Sequence, residues 1–251
     1  MTVPIAVQLY SLRDVLPKDF AGVIHQVAAM GYAGVETAGF AGTTAQAAAK
    51  IFAAEGLQVC SAHSGLPLGD QKNEVLDTMA ALGCKHLVHP YIPPEEFQSV
   101  ASIHSHCDRI NEANAVAQAN GITLYYHNHW WEYEFVLEGR PAYQIMLDRL
   151  ESSVLLEVDT YWVQVGGRDA AEVVAELGER APLLHIKDGV ATKEAAMLAV
   201  GDGVMNWASV MAAAGAAQWL VVELDRCDTD MLTAVGKSVT YLTSKGYGHG
   251  R

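Results

Sequence analysis

LYYHNHWWEYE, Leu124 to Glu134, is the stretch on which the reading of this chain turns. The apolar run Ile122 to Tyr126 has the length and composition of a buried strand, and it stops at His127, Asn128 and His129 and, past two tryptophans, at Glu132. Imidazoles and a carboxylate therefore gather where the strand ends. Three later segments repeat the pattern of an apolar run that ends in a potential metal ligand: VLLEVDTYW with Asp159, PLLHIKD with His185 and QWLVVELDR with Glu223. From 127 to 159, 185 and 223 the spacing stays near the ~30 residues of one strand-helix-strand unit. The four groups are expected at the same end of four successive parallel strands.

The alternation continues through the rest of the chain. Ile5 to Leu9, Gly34 to Glu36, Leu57 to Ala62 and His86 to His89 read as the first four strands, and Val154 to Val158, Leu183 to Ile186 and Trp219 to Val222 as the last three. Helical patterns fall between them at about Asp19 to Met30, up to Glu55, Gln71 to Leu82, Ser99 to Ala119, Tyr143 to Leu150, Ala170 to Leu177 and Trp207 to Ala213, with a final helix at Thr229 to Thr243. Gly31 and Gly83 stand where a C-terminal glycine stops a helix. Residues 131–142 read as a hairpin-like excursion, and the long segment after His185 as a lid or substrate-contacting arm.

Eight alternations of strand and helix imply parallel strands with right-handed crossovers, and the expected fold is a single-domain (β/α)8 TIM barrel over residues 1–251. The rival, an open doubly wound sheet, would be supported by a phosphate-cradling GxGxxG after the first strand, and none is present. The length of 251 residues, 51% of them hydrophobic and 18% charged, suits one such barrel with a large core.

Sixteen basic against twenty-nine acidic residues give a formal charge of −13, which disfavours a nucleic-acid partner. Cys60, Cys84, Cys107 and Cys227 are scattered without CxxC pairing, so reduced thiols are expected. The N-terminal MTVPIAVQLYSLRD lacks the features of a secretory signal, and no apolar run approaches the ~18 residues of a membrane span. The expectation is a cytoplasmic protein with no membrane partner.

At the C-terminal ends of barrel strands side chains converge on one pocket. Two imidazoles and two carboxylates, His127, Asp159, His185 and Glu223, suit one divalent ion of intermediate hardness, manganese first, with cobalt, zinc, iron or magnesium as alternatives. The carboxylate content exceeds that of a structural zinc site and points to a catalytic ion with open positions. Around the same mouth Glu36, His63, Glu132 and Trp162 are candidate substrate contacts, and His129 and Lys187 candidate acid/base groups. Each has a plainer alternative: Glu36 and His63 as loop anchors, Glu132 and His129 as supports for the ligands, Lys187 as a salt bridge to Asp188 or Asp225, and the aromatic rings as packing.

On these residues the chain resembles the sugar phosphate isomerase/epimerase family with the xylose isomerase-like barrel, related to the endonuclease IV group. The resemblance runs through VQLYSLR (Val7 to Arg13), GYAGVETAGF (Gly31 to Phe40), SAHSGLP (Ser61 to Pro67), YHNHWWEYE (Tyr126 to Glu134), EVDTYWVQVGG (Glu157 to Gly167), HIKD (His185 to Asp188), GDGVMNW (Gly201 to Trp207) and VELDR (Val222 to Arg226). It implies a single divalent metal, commonly manganese, held from strands five to eight, and a homodimer as the common assembly. Ketose epimerases of the family carry a metal-binding, proton-transferring glutamate on strand five. Here His127 stands at that position while Glu223 matches the second glutamate, so the HNH variant looks more like the subgroup acting on inositol-derived ketones or 3-keto-glycosides.

The expected activity is metal-dependent isomerisation or epimerisation of a sugar, keto-sugar or polyol through proton abstraction and an enediolate. Glu223 is the first choice of base, with His129, Lys187 or Glu36 as proton donors. Loss of a β-substituent from the same intermediate would make the enzyme a lyase or dehydratase. A phosphodiesterase of the AP endonuclease type and a non-catalytic sugar-binding barrel are the remaining alternatives.

Overall fold

Successive side chains of a strand point to opposite faces, and this alternation sorts the strands into an outer apolar layer and a graded interior. The computed structural model describes residues 2–251. Its eight parallel strands are β1 (Val3–Gln8), β2 (Gly34–Ala38), β3 (Gln58–His63), β4 (His86–His89), β5 (Thr123–His127), β6 (Leu155–Asp159), β7 (Leu183–Ile186) and β8 (Trp219–Val222). Each pairs with the next in chain order, and β8 pairs back with β1 through Ile5 and Leu220, closing the barrel. The expected (β/α)8 fold is the one observed.

The helices that return the chain are α1 (Phe20–Ala29), α2 (Ala45–Ala54), α3 (Lys72–Leu82), α4 (Val100–Ala119), α5 (Ala142–Arg149), α6 (Ala170–Leu177), α7 (Trp207–Ala213) and α8 (Met231–Ser244). Their starts are set by side chains that accept the free amides of the first turn: Asp19 for α1, Thr44 for α2, Ser99 for α4, Asp169 for α6, Asn206 for α7 and Asp230 for α8. Asp230 moves the start of the last helix to Met231, past the expected Thr229. Gly83 ends α3 in the left-handed conformation, φ 63°, where a side chain would be strained.

Three elements go beyond the sequence reading, the first of them a helix ahead of the expected hairpin. The excursion after β5 is a one-turn helix, Trp131–Glu134, followed by two-residue antiparallel strands at Val136–Leu137 and Arg140–Pro141. A further helix, Thr160–Val165, follows β6 directly because Asp159 caps it, its Oδ1 accepting the Trp162 N–H at 2.9 Å. Gly248–His249 adds a short parallel pairing to Val3 and Pro4 at the start of β1.

The core has two parts. The larger lies between strands and helices; the smaller, Ala6, Cys60, Val88, Tyr125, Leu183, Trp219 and Val221, plugs the barrel interior. Two residues further along the same strands the inward positions turn polar: Gln8 after Ala6, His127 after Tyr125, His185 after Leu183 and Glu223 after Val221. Among the described residues no helix is long and apolar enough to cross a membrane.

Candidate metal centre

β5 and β6 run one residue past their apolar runs, so His127 and Asp159 are the last residues of their strands, while Glu223 immediately follows β8. Strand pairing sets Asp159 beside His185 and His127 beside Glu157. One ligand atom from each of His127, Asp159, His185 and Glu223 lies within 4.8 Å of all the others. The four residues read from the sequence are thus brought together, His127 and Glu223 lining a pocket and Asp159 and His185 fully buried beside them.

That pocket, of about 570 Å³, is lined by Tyr10, Tyr91, Trp131 and Trp162 as flat walls and by His63, His127, His129, Lys187, Glu223 and Asp225 as polar groups. Lys187 Nζ lies 2.6 Å from Glu223 Oε2, 2.8 Å from Asp159 Oδ2 and 3.0 Å from Asp225 Oδ1. The alternative partner Asp188 is engaged elsewhere: its carboxylate accepts from the amides of Gly189, Gly201 and Met205 and from the Trp207 indole. It thereby pins the segment after β7, which contributes no pocket-lining residue beyond Lys187 itself. The expectation of a substrate-contacting arm is corrected in that respect.

The floor is double. Beneath the four mouth groups, His63, His127, Glu157 and His185 form a second set of donors within the same 4.8 Å limit. Glu157 Oε2 lies 2.7 Å from His63 Nε2 and 3.1 Å from both His185 Nε2 and His127 Nδ1. Glu36, the expected substrate contact, faces into this lower tier and is fully buried. It accepts from Gln8 Nε2 at 2.6 Å, from His185 Nε2 at 2.7 Å and from the Ser61 hydroxyl. Glu132 is likewise turned away from the pocket: it accepts from the Tyr126 hydroxyl at 2.6 Å and from the His129 amide at 3.0 Å, tying down the turn after β5. Both placements follow from side-chain direction, which a strand-end position alone does not give.

The charges sort accordingly. Burial opposes a positive Lys187, but Asp159, Asp225 and Glu223 outweigh it and hold the ammonium well above its usual value. Burial also opposes ionisation of Glu223, and Lys187 and His185 nevertheless hold that carboxyl below the usual range. Asp159 is raised, burial dominating over Lys187. Burial, reinforced by His185, keeps His127 well below its usual value, and burial with Lys187 lowers His129 to about 3. His63 goes the other way: against the burial effect, Glu36 and Glu157 raise it to about 10. Burial raises Glu132 to about 8.

These residues fit a divalent ion. Two imidazoles and two carboxylates, all buried, crowd together here, His127 Nε2 lying 3.8 Å from Asp159 Oδ2, a density of ligand atoms that apolar packing does not require. Neutral imidazole nitrogens and carboxylate oxygens are the donors such an ion takes. His129, by contrast, stacks flat on Trp131 at 4.4 Å between centroids and joins neither donor set. Between His127 and His129, His127 is the one beside the other donors.

A family model described as xylose isomerase-like TIM barrel matches residues 24–244. The chain belongs to this family. A search of curated proteins finds no matching sequence. Among solved structures, this barrel is similar to a sugar phosphate isomerase/epimerase from Parabacteroides distasonis, with 24% identity, a TM-score of 0.84 and coverage of 98% of this chain and 96% of that one. It is also similar to a probable 3-DHS dehydratase, AsbF, from Bacillus anthracis (11% identity, TM-score 0.77, coverage 96% and 99%). The IOLI protein with a binding zinc atom matches at 16% identity and a TM-score of 0.71, with 98% of each chain covered. Within the xylose isomerase-like family, then, this barrel has isomerase/epimerase and dehydratase structures as neighbours.

Glu157, Gln8 and Ser61 were not read from the sequence as site residues. For Glu157 a signal exists: it precedes Asp159 by two, so strand alternation puts both on the inner face.

Proposed function

We propose that this protein is a divalent-metal-dependent enzyme that moves a proton at the carbon next to a carbonyl of a sugar, keto-sugar or polyol, giving isomerisation or epimerisation. The observation that carries this reading is the convergence of His127, Asp159, His185 and Glu223 at the base of an aromatic-walled pocket that His127 and Glu223 line. His127 Nε2, Asp159 Oδ2, His185 Nδ1 and Glu223 Oε2 are the donor atoms assigned to the ion, of which manganese is the first choice. The zinc of the IOLI protein keeps zinc among the candidates.

Glu223 is the assigned base. Lys187 and His185 keep it ionised, and an ionised carboxylate of low basicity removes a carbon-bound proton only when that proton is unusually acidic. Acidifying it is the chemistry a divalent ion on the neighbouring oxygen supplies when bound. Lys187, cationic and at the pocket wall, offers a positive charge to the oxygen that gains negative charge, and it can return a proton. His129 and Trp131 form one flat wall and Trp162 another, against which a sugar ring packs while its hydroxyls face the polar floor. The expected setting is the cytoplasm and the expected partner a small molecule.

Elimination is the second reading. The cationic His63 and Lys187 both line the pocket, where either can protonate a departing group, and one similar structure is a probable dehydratase.

The test is metal content by mass spectrometry after dialysis without chelator, followed by incubation of the loaded protein with keto-sugars in deuterated water. About one ion per chain, absent from Asp159→Ala and His185→Ala, with deuterium entering at the α-carbon, is the expected result. A folded wild type that takes up no divalent ion would overturn it.

A further inference from the structure

The ring nitrogens of His185 face opposite tiers. Nδ1 lies 2.9 Å from Glu223 Oε2 in the mouth, and Nε2 lies 2.7 Å from Glu36 Oε1 beneath it. A neutral imidazole carries one proton, and the nitrogen without it is the one that can bind a metal. Glu36 Oε1 is a carboxylate oxygen that accepts and does not donate, so Nε2 carries a proton; Nδ1 faces the Glu223 carboxylate in the same way, and the proton it holds there is the one that a metal in the mouth would displace.

Glu36 is held in place from both sides. Gln8 on β1 and Ser61 on β3 stand beside it in the strand register, Gln8 opposite Glu36 and Glu36 opposite Ser61. Gln8 donates to Oε1 at 2.6 Å, and Ser61 donates to Oε2. The side chain has no solvent exposure and lines no part of the pocket. Both carboxylate oxygens are therefore taken by protein donors, and none is left to meet a substrate. His63, whose ring lies parallel to that of His185 at 5.5 Å between centroids, limits the remaining freedom of the imidazole.

We propose that Glu36 is the positioning residue of the metal centre: it holds His185 with its proton on Nε2 and so aims the Nδ1 lone pair into the mouth, between Asp159 and Glu223. This inference rests on the metal reading above. Glu157 repeats the arrangement less directly on the neighbouring imidazole, 3.1 Å from His127 Nδ1. Carboxylates behind metal-bound histidines fix the tautomer and ring orientation, and their loss typically weakens metal binding about 10- to 100-fold.

The experiment measures zinc affinity by competition with a chelating dye, for wild type, Glu36→Gln and Glu36→Asp. The aspartate keeps the charge but withdraws it from His185 by one methylene. Both variants are expected to bind about 10- to 100-fold more weakly. In the zinc-loaded wild type, nitrogen-15 correlation spectra of the imidazoles are expected to show His185 protonated on Nε2 and bound through Nδ1. A merely structural role for Glu36 would not set that signature. Ser61→Ala, which removes one support of Glu36 and leaves its charge, serves if either Glu36 variant fails to fold, and a several-fold loss is expected. His185 bound through Nε2, or folded variants that bind zinc as tightly as wild type, would overturn the proposal and leave the metal reading standing. A wild type that takes no zinc or other divalent ion would overturn both.

Discussion

The lower and upper halves of the barrel interior come from the same strands and differ by two residues of chain. Ala6, Tyr125, Leu183 and Val221 fill the lower half with Trp219 among them; Gln8, His127, His185 and Glu223 occupy the positions that follow. The lower half removes apolar surface from water, the main favourable term in folding. The upper half buries carboxylates, imidazoles and an ammonium, a combination that apolar side chains of similar volume often match or exceed in stability. Stability is thus concentrated at one end of the barrel and chemistry at the other, and the rim bearing the site is the costly one.

The largest effect that would break this division is expected at the plug. Trp219→Ala should cost about 3–5 kcal/mol of unfolding free energy by denaturant titration, because the indole is buried among side chains held by closed strands. If the upper tier carried the fold, that substitution would be mild. Next comes ion binding: a divalent ion at about 100 times its Kd is expected to add about 2.7 kcal/mol to wild-type stability and nothing to Asp159→Ala, seen as a thermal shift reversed by chelator.

The pH dependence of Glu132 sharpens the comparison further. Its carboxyl titrates near 8 in the fold, raised by burial, and near 4.3 in the unfolded chain. Between these values the folded state binds the extra proton, so this group's contribution is fully present below about pH 4.3 and is lost as pH rises through 8, by at most about 1.4 kcal/mol per pH unit. Glu132→Gln is expected to flatten that slope in urea melts between pH 5 and 8. Smallest is Glu157→Gln. Burial and the neighbouring Glu36 disfavour its charge, so the amide, which has the same shape and still forms hydrogen bonds, should change stability without added metal by no more than the worth of one hydrogen bond, about 0.5–1.5 kcal/mol. A loss of several kcal/mol would place structural weight on the polar tier.

Much of the barrel was legible because each strand is a short apolar run and most helices begin at a capping Asp, Ser, Thr or Asn. The convergence of His127, Asp159, His185 and Glu223 was legible for a related reason: a ligand at the end of each run needs only the repeat length to place it. Side-chain direction within a tier was harder to read. Glu36 and Glu132 both sit near strand ends, yet one points under His185 and the other under the turn at His129, and only the packed neighbours Gln8, Ser61 and Tyr126 decide that. Glu157 was obscured by its setting in an otherwise apolar run, where a charge reads as an interruption. The helix at Thr160–Val165 was hidden because TYWVQV is rich in β-branched and aromatic residues that favour strands, and the Asp159 cap overrides that preference.

The Asp188 clamp gives the protein a built-in reporter. Asp188 is joined by one peptide bond to Lys187, whose ammonium touches three carboxylates in and beside the mouth, and its own carboxylate receives the Trp207 indole N–H at 2.7 Å. A ligand that draws Lys187 toward itself pulls on the residue that grips the indole. The amide exchange rates of Gly189, Gly201 and Met205 would then register events at the mouth from outside the pocket, without a label and without touching the residues that do the chemistry.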